Sequence, residues 1–251
     1  MCLRTSIARR LLAVPLLALL SGCANDLTDA LIEQPLGKLS ELAVNLQFRK
    51  ERDPLLFGYT YLLGEEHHKL VRRKNVPYRF HVIELEEPNA FAIPWGGIYV
   101  TKGLLRFADT EDQISFVMGH EVGHVERRHS SLAFQRNLLI NLGLQLLTSN
   151  NTENWMQFAY LGNNLLDLHF SRENEHAADR QGVMYAVNSG HDPVGGVEFF
   201  QKLDQRYGAT PRFWSYFQTH PINRDRINTM RGQPGMQADP IPLTMIAEGY
   251  R

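Results

Sequence analysis

The sequence predicts a mainly helical α+β fold with a small β-sheet. Most of its 251 residues fall into runs whose apolar side chains recur at helical spacing. Only two segments carry strand patterns: residues 79–85 alternate in polarity, and residues 98–101 are rich in β-branched side chains. The 229 residues that follow residue 22 suit a single domain of mostly helical type.

The predicted helices follow one another along most of the chain. They cover residues 36–46, 55–71, 110–125 and 171–186, a stretch after Pro193, and residues 223–230. Cations at 72–74 follow the second helix, where positive charge complements a helix C-terminus. Within residues 132–168, a leucine-rich apolar stretch is interrupted by a polar run at 148–152, and a second apolar stretch follows at 155–168. This pattern fits either a helical hairpin that completes the core or a mobile lid over a cleft.

The segment His120–His124 reads H-E-x-x-H. Residues four apart share one face of a helix, so both imidazoles can bind the same zinc ion. Glu121 is then placed to take a proton from a metal-bound water, as the hydrolysis of an amide bond requires. The alternative is a pair of solvated histidines on an amphipathic helix.

Three features of the surrounding sequence favour the metal site. Thr110 and Gln113 resemble a capping box, which predicts a helix that begins just before the motif. The run 114–125 is mostly apolar, so the histidines are predicted to be buried. Gly119 and Gly123 each lower helix stability by about 1 kcal/mol relative to Ala. Glycine at both positions is explained if another backbone or an ion approaches closely.

A zinc site needs a third protein ligand and leaves a fourth position for water. Glu175 and Asp179 are four residues apart on a predicted helix and share a face. One of them can bind zinc while the other accepts the second N–H of a histidine ligand. The alternative is a solvated, acidic helix face interspersed with Arg172 and Arg180.

The chain resembles metallopeptidase family 48 in several motifs that occur in the family's order: His120–His124, Glu175–Asp179, Thr219–Pro221 and Arg226–Ile227. This is the gluzincin group of the HtpX heat-shock protease, the CAAX prenyl protease and the BepA and LoiP-type peptidases. Residues 89–94 and 98–105 are similar to the family's segment before the zinc helix. The resemblance covers about residues 76–231 and implies a zincin-like metallopeptidase domain.

The resemblance implies one Zn²⁺ ion per chain, held by His120, His124 and Glu175, with Glu121 as the catalytic base. It also implies that Asp179 accepts a hydrogen bond from one histidine ligand. Spacing along the helix alone does not distinguish these roles.

The resemblance further implies that Glu173 and His176 take no part in the site. One departure from the family pattern is visible, because Pro94–Gly97 reads P-W-G-G where the family usually has P-G-G. The bulky Trp95 affects the shape of this turn rather than the metal chemistry.

His220 has two possible roles. The resemblance implies that it lies on a loop near the site, where it contacts the oxyanion of the tetrahedral intermediate or holds the open zinc position at rest. The alternative is a histidine that closes a turn before Pro221. Arg226 either pairs with an acidic group near the site or caps its own helix. Structural or surface roles are expected for the other histidines of the mature chain: His67, His68, His81, His129, His169 and His191.

The N-terminus has the pattern of a bacterial lipoprotein signal. Three arginines precede a short apolar run at 11–20, and Leu20–Cys23 then resembles a lipobox, which predicts lipidation of Cys23. Two or three acyl chains give stable membrane anchoring. Ala24 after this cysteine resembles an outer-membrane sorting signal. The alternative is an ordinary secretory signal with an incidental cysteine.

Removal of residues 1–22 takes away Cys2 and three arginines, so the formal charge changes from −1 to −4. With Cys23 lipidated, no thiol remains for a disulfide. The modest charge gives no case for a nucleic-acid partner. The predicted organisation is a signal peptide at 1–22, a lipidated tether at 23–37, a zinc metallopeptidase domain at 38–231 and a loosely packed tail at 232–251.

These features predict a membrane-anchored zinc endopeptidase on the periplasmic side of a bacterial envelope. The resemblance implies that its substrates are unfolded, misfolded or mislocalised envelope proteins. An edge strand beside the zinc site can bind an extended peptide through main-chain hydrogen bonds. A zinc-containing, chaperone-like binding module with latent or absent protease activity is the alternative.

Overall fold

A computed structural model describes residues 29–137, 170–207, 220–221 and 224–236. Seven α-helices and three β-strands are defined in these parts of the chain. The helices are α1 (Gln34–Gln47), α2 (Pro54–Leu70), α3 (Lys102–Phe107), α4 (Glu111–Glu126), α5 (Arg172–Asn188), α6 (Val194–Tyr207) and α7 (Arg224–Arg231). The strands are β1 (Arg79–Ile83), β2 (Ala90–Ala92) and β3 (Gly97–Thr101). The predicted α+β fold, mainly helical with a small sheet, is confirmed.

The N-terminal boundary of the packed chain lies earlier than predicted. A π-helical turn, Asp29–Glu33, leads directly into α1, and both of its acidic residues are buried. Pro35 does not break this helix because it lies in the first turn, where its missing N–H has no helical partner. Residues 29–37 are therefore helical rather than part of a tether.

Gly37 explains how α1 packs. A Cβ atom at this position would lie 2.4 Å from Cβ of Trp95 and 2.6 Å from the Pro94 carbonyl oxygen. The helix thus crosses directly over the turn Pro94–Gly96, in which Trp95 adopts left-handed backbone angles, φ 63° and ψ 31°. The segment Pro94–Gly96, where the chain departs from the family's P-G-G pattern, forms a short 3₁₀ turn that packs against α1.

The sheet has the strand order β1-β3-β2, with β1 parallel and β2 antiparallel to β3. Strand β2 was not predicted, because three residues are too few to show an alternating pattern. Backbone hydrogen bonds from the segment 49–51 partly cover the outer edge of β1. Among the described residues, β2 is the open edge, and it packs against α4.

Helices on both faces bury the sheet. One face, with Ile98 and Val100, joins the main core formed with α2, α4, α5 and α6. The opposite face, with Phe91 and Tyr99, packs against α1 and a helical stretch at residues 129–137. Because both faces are covered, all five residues of β3 are buried, and the sheet forms a fixed support for α4.

Helices α4 and α5 pack with their backbones unusually close together. A Cβ atom at Gly123 would lie 2.6 Å from Cβ of Gln181, and one at Gly119 would lie 2.9 Å from Cβ of Tyr185. Gly119 and Gly123, which each directly precede one of the two histidines, therefore accommodate another helix rather than an ion. This contact fixes the two helices that carry the predicted zinc ligands.

His67 on α2 has the structural role expected of it. Its Nδ1 donates to the Leu63 carbonyl oxygen at 2.8 Å, so its Nε2 can accept from the Ser115 hydroxyl at 3.2 Å. Burial lowers the pKa of His67 to about 4, which keeps the ring neutral at physiological pH. The ring thus links α2 to the zinc helix as a neutral core group.

Several predictions fall outside the described residues. The choice between a hairpin and a lid concerns residues 138–168, and most of the predicted tail lies beyond residue 236. The signal peptide and Cys23 also lie outside the described parts. Among the described helices, none combines the length and apolarity needed to cross a bilayer.

Candidate metal centre

Helix α4 presents the H-E-x-x-H residues inside the protein. Thr110 caps its start by accepting from the Gln113 N–H at 3.3 Å, as the capping pattern predicted. The Gln113 side chain instead accepts from the Asp109 N–H at 3.0 Å. His120, Glu121 and His124 are each 0% exposed, so the alternative of solvated histidines is wrong.

Helix α5 brings the predicted acidic residues to the same place. Ser171 caps its start, and Glu175 and Asp179 follow on one face, buried at 2% and 0% exposure. The alternative of a solvated acidic face is therefore wrong for both. Glu173 is exposed, and Nε2 of His176 lies 3.2 Å from Asp225 Oδ2 in a contact outside the buried cluster.

Four buried side chains place one ligand atom each within 4.8 Å of one another: His120, His124, Glu175 and His220. The two histidine Nε2 atoms of α4 are 3.0 Å apart, and they lie 3.6 Å and 3.4 Å from the Glu175 oxygens. Nδ1 of His220 lies 3.3 Å from His120 Nε2 and 3.1 Å from Glu175 Oε1. A tetrahedral zinc with bonds of about 2.0–2.2 Å separates its ligand atoms by about 3.3–3.6 Å. The four atoms therefore fit one zinc ion.

Short polar contacts behind the two α4 histidines orient the rings so that their Nε2 atoms point to the same place. Nδ1 of His120 lies 3.1 Å from Asp179 Oδ1, which can only accept when ionised. Nδ1 of His124 lies 3.1 Å from Nδ1 of His129, which can accept its proton. Both Nε2 atoms then face each other as acceptors, an arrangement that requires a cation between them.

Arg226 joins the two carboxylates behind the site. Its guanidinium, only 1% exposed, donates to both oxygens of Asp179 at 2.6 Å and 2.8 Å, and it lies 2.8 Å from Glu175 Oε2. Burial alone would raise the pKa of Glu175. His220, His124 and Arg226 outweigh it and hold that pKa well below its usual range. Arg226 likewise outweighs burial and lowers the pKa of Asp179. Both carboxylates are therefore ionised and available as acceptors or ligands.

The Glu121 carboxylate differs from the other two. Neither oxygen makes a hydrogen bond of regular geometry with the described residues, although His220 Nε2 lies 3.4 Å from Oε1 and the backbone of Ala92 on β2 also faces the carboxylate. Burial raises its pKa, against the lowering influence of His220, His120 and the Ala92 backbone. A buried polar group that is not fully hydrogen-bonded is rare and often marks a functional site. The raised pKa suits a group that must accept a proton.

His220 is buried and closes the fourth side of the cluster. Its loop is held by Arg226, which donates to the Pro221 carbonyl oxygen at 3.0 Å. The Phe170 ring stacks on the His220 ring, with 5.4 Å between ring centroids and 28° between ring planes. Its centroid also lies 4.0 Å from that of the His124 ring. The alternative of a simple turn histidine is therefore wrong, and Arg226 pairs with acidic groups of the site rather than merely capping α7.

Two residues in contact with the cluster were not identified from the sequence. His129 was assigned a structural role, yet it contacts the imidazole of His124. Phe170 was given no role. The spacing of five residues between His124 and His129 crosses a turn and therefore gives no helical signal.

The sequence pattern of "Peptidase family M48" matches residues 62–233, well over half of the chain. A "Beta-barrel assembly-enhancing protease" of Escherichia coli O157:H7 is 34% identical over 196 residues, or 72% of this chain. The "Mitochondrial metalloendopeptidase OMA1" of Schizosaccharomyces pombe is 30% identical over 155 residues, or 61% of this chain. These findings support a zinc metalloendopeptidase. The matched regions cover 39% and 45% of the two relatives, so the chain spans less than half the length of either one.

Proposed function

Because the chain belongs to peptidase family M48, a zinc-dependent metallopeptidase family, we propose that it is a membrane-anchored zinc endopeptidase of the bacterial cell envelope. The observation that carries the proposal is the convergence of four buried ligand atoms beside the buried Glu121 carboxylate, neither oxygen of which makes a hydrogen bond of regular geometry with the described residues. In this proposal His120, His124 and Glu175 hold the ion. Bound zinc supplies Lewis-acid activation of water and of the scissile carbonyl.

The chain's own residues then carry out the proton transfers. Glu121 takes a proton from the attacking water and passes it to the departing amine. Asp179 and His129 hold the two imidazoles in the tautomers that leave Nε2 free to bind metal. Strand β2 lies against α4 and is an open edge among the parts of the chain that the structure describes, so an extended substrate can add a strand there through main-chain hydrogen bonds.

The proposed substrates are unfolded, misfolded or mislocalised envelope proteins, and the proposed role is envelope protein quality control. The bacterial relatives named beta-barrel assembly-enhancing proteases support this class, because that name refers to the assembly of other proteins. Main-chain recognition along β2 also fits a protease that selects unfolded segments rather than one sequence.

Purified mature protein is expected to contain close to one zinc per chain and to cleave casein, an unfolded protein. Removal of zinc with a chelator should stop the cleavage, and added zinc should restore it. Metal analysis and gel-based cleavage assays measure both quantities. A zinc-free protein that cleaves casein at the same rate would contradict the proposal.

We propose that lipidated Cys23 anchors the protein on the periplasmic face, in the outer membrane. The lipobox at residues 20–23 and the Ala24 that follows it support this location. Replacement of Cys23 by Ser should shift the protein from the membrane fraction to the soluble periplasmic fraction. Retention of the Cys23→Ser protein in the outer membrane would contradict anchoring through this residue.

His220 supports a second candidate, a zinc-containing assembly factor whose protease activity is latent or absent. Its Nδ1 fits the fourth vertex of the ligand tetrahedron, which would exclude the attacking water. We expect His220→Ala to raise the rate of casein cleavage if the parent is latent. His68→Ala, which removes a partly exposed imidazole on α2, is the control. Cleavage that falls in His220→Ala would instead indicate a role on the oxyanion.

A further inference from the structure

A buried cluster of ion pairs connects the first described residues to the end of the zinc helix. Asp29 and Glu33, 2% exposed each, contact Arg73 at 3.2 Å and 2.6 Å. Arg128 lies 2.5 Å from Asp29 and 3.6 Å from Glu33. These four side chains are called here the N-terminal cluster. They connect the turn that precedes α1 to Arg128, almost one hundred residues later in the chain.

The N-terminal cluster holds the segment that follows α4. Arg73 donates to the carbonyl oxygen of Val125, in the last turn of that helix, at 2.8 Å. The Ser131 hydroxyl, beyond the turn, donates to Glu33 at 2.5 Å. Between these contacts Arg128 has φ 60°, a left-handed conformation that is unfavourable for a residue other than glycine. Such a conformation persists where surrounding contacts enforce it.

This enforced turn determines where His129 lies. His129 directly follows Arg128, and its Nδ1 lies 3.1 Å from Nδ1 of His124. A ligating histidine depends on such a partner for its tautomer and ring orientation, and loss of the partner typically weakens metal binding 10–100-fold. The path from Glu33 to His124 runs through a side-chain contact with Arg128, along the backbone to His129, and through the contact of the two imidazoles, and all four side chains are buried or half-buried.

We propose that the N-terminal cluster positions His129 behind His124 and thereby sets the affinity of the zinc site. The inference rests on the proposed zinc function. Asp29 lies only six residues after Cys23, so the same segment would connect the membrane attachment to the metal site. Asp29, Glu33 and Arg128 are positioning residues in this proposal, since none of them touches the metal ligands.

The test is a double-mutant cycle on the mature protein, in which the zinc dissociation constants of single and double variants are compared. Glu33→Gln removes the charge of Glu33, and Arg128→Gly removes the guanidinium while still allowing φ 60°. Glu41→Gln is the matched control, because Glu41 pairs with Arg79 at 3.1 Å on the surface of α1, outside the cluster. Zinc dissociation constants are measured by competition with a chromophoric chelator, and the absorption bands of the Co²⁺-substituted protein report ligand geometry.

We expect Glu33→Gln and Arg128→Gly to weaken zinc binding about 10-fold, at the lower end of the range for partners of metal ligands. Glu41→Gln should bind zinc as the parent does. His129→Leu should show the full loss of zinc affinity. Glu33→Gln should lower the affinity little further in the His129→Leu background, because both changes act through the imidazole of His129. Circular dichroism confirms that each variant is folded at the temperature of measurement.

Parental zinc affinity and Co²⁺ spectrum in folded Glu33→Gln and Arg128→Gly would overturn the inference, even with a lowered melting temperature. Losses that add fully to that of His129→Leu would also overturn it. A parent that binds zinc but leaves casein intact would count against the proposed protease function alone. If the parent binds no zinc, both proposals fail.

Discussion

Replacement of Glu121 by Gln is expected to reduce casein cleavage about 10²–10⁴-fold, the usual contribution of a positioned general base. The zinc content should stay close to one per chain, because Glu121 is not among the four converging ligand residues. Gln keeps the size of the side chain but cannot accept the proton of the attacking water. The expected combination is therefore full metal content with little turnover.

The same variant has an expected effect on stability. The Glu121 carboxylate is 0% exposed and makes no hydrogen bond of regular geometry with the described residues, and burial raises its pKa. A buried charge that is not fully hydrogen-bonded lowers the stability of the folded state, and a neutral amide lowers it less. Glu121→Gln should therefore unfold at the same or a higher urea concentration than the parent. Loss of activity with retained or increased stability is typical of a residue kept for function.

The control for Glu121→Gln is Glu173→Gln. This change also removes a carboxylate from a helix of the site, but Glu173 is exposed and lies on α5 outside the cluster. Glu173→Gln should keep parental turnover and zinc content. The measurement is kcat on casein for the parent, Glu121→Gln and Glu173→Gln. A Glu121→Gln protein that cleaves as fast as the parent would refute the proposed mechanism.

The zinc ligands could be predicted from the sequence because their spacing along each helix places them on one face. His120 and His124 lie on one helix at a spacing of four, and Glu175 and Asp179 repeat that spacing on another helix. Helical periodicity alone could not decide which acid binds metal. The structure separates the two carboxylates, because Asp179 faces Nδ1 of His120 whereas Glu175 faces the converging Nε2 atoms.

Other parts of the fold could not be predicted because they depend on contacts distant in sequence. The turn Asp29–Glu33 was predicted to belong to a tether, because the cations that pair with its buried acids, Arg73 and Arg128, lie far away in the sequence. Strand β2 is defined by pairing with β3, not by its own three residues. His129 acts on His124 only because the chain turns sharply at Arg128. Such features have no local sequence pattern.

Replacement of Arg226 by Gln is expected to lower the free energy of unfolding by about 3–5 kcal/mol, the usual effect of removing one partner from a buried ion pair. The guanidinium is 1% exposed and contacts the carboxylates of Asp179 and Glu175 at 2.6 Å and 2.8 Å. Without it, two ionised carboxylates remain buried side by side. Urea unfolding of the zinc-free protein measures the loss directly.

Arg79→Gln is the matched control for Arg226→Gln. Arg79 makes one contact with Glu41 at 3.1 Å, and both side chains are about one-third exposed, so its loss should change stability by less than about 1 kcal/mol. Equal effects of the two changes would contradict the assigned role of Arg226. A double variant, Arg226→Gln with Asp179→Asn, should be less destabilised than the sum of the single variants, because the second change removes one unpaired charge.

Arg226→Gln should also change how the site behaves, since the same guanidinium donates to the Pro221 carbonyl oxygen at 3.0 Å. Loss of that hydrogen bond frees the loop that carries His220, whose Nδ1 fits the fourth zinc vertex. If His220 restrains the enzyme, folded Arg226→Gln at low temperature should cleave casein faster per zinc bound than the parent. The stability of the fold and the restraint of cleavage by His220 would then both depend on the buried guanidinium of Arg226. This double role would explain why a charge that is costly to bury lies next to the metal site.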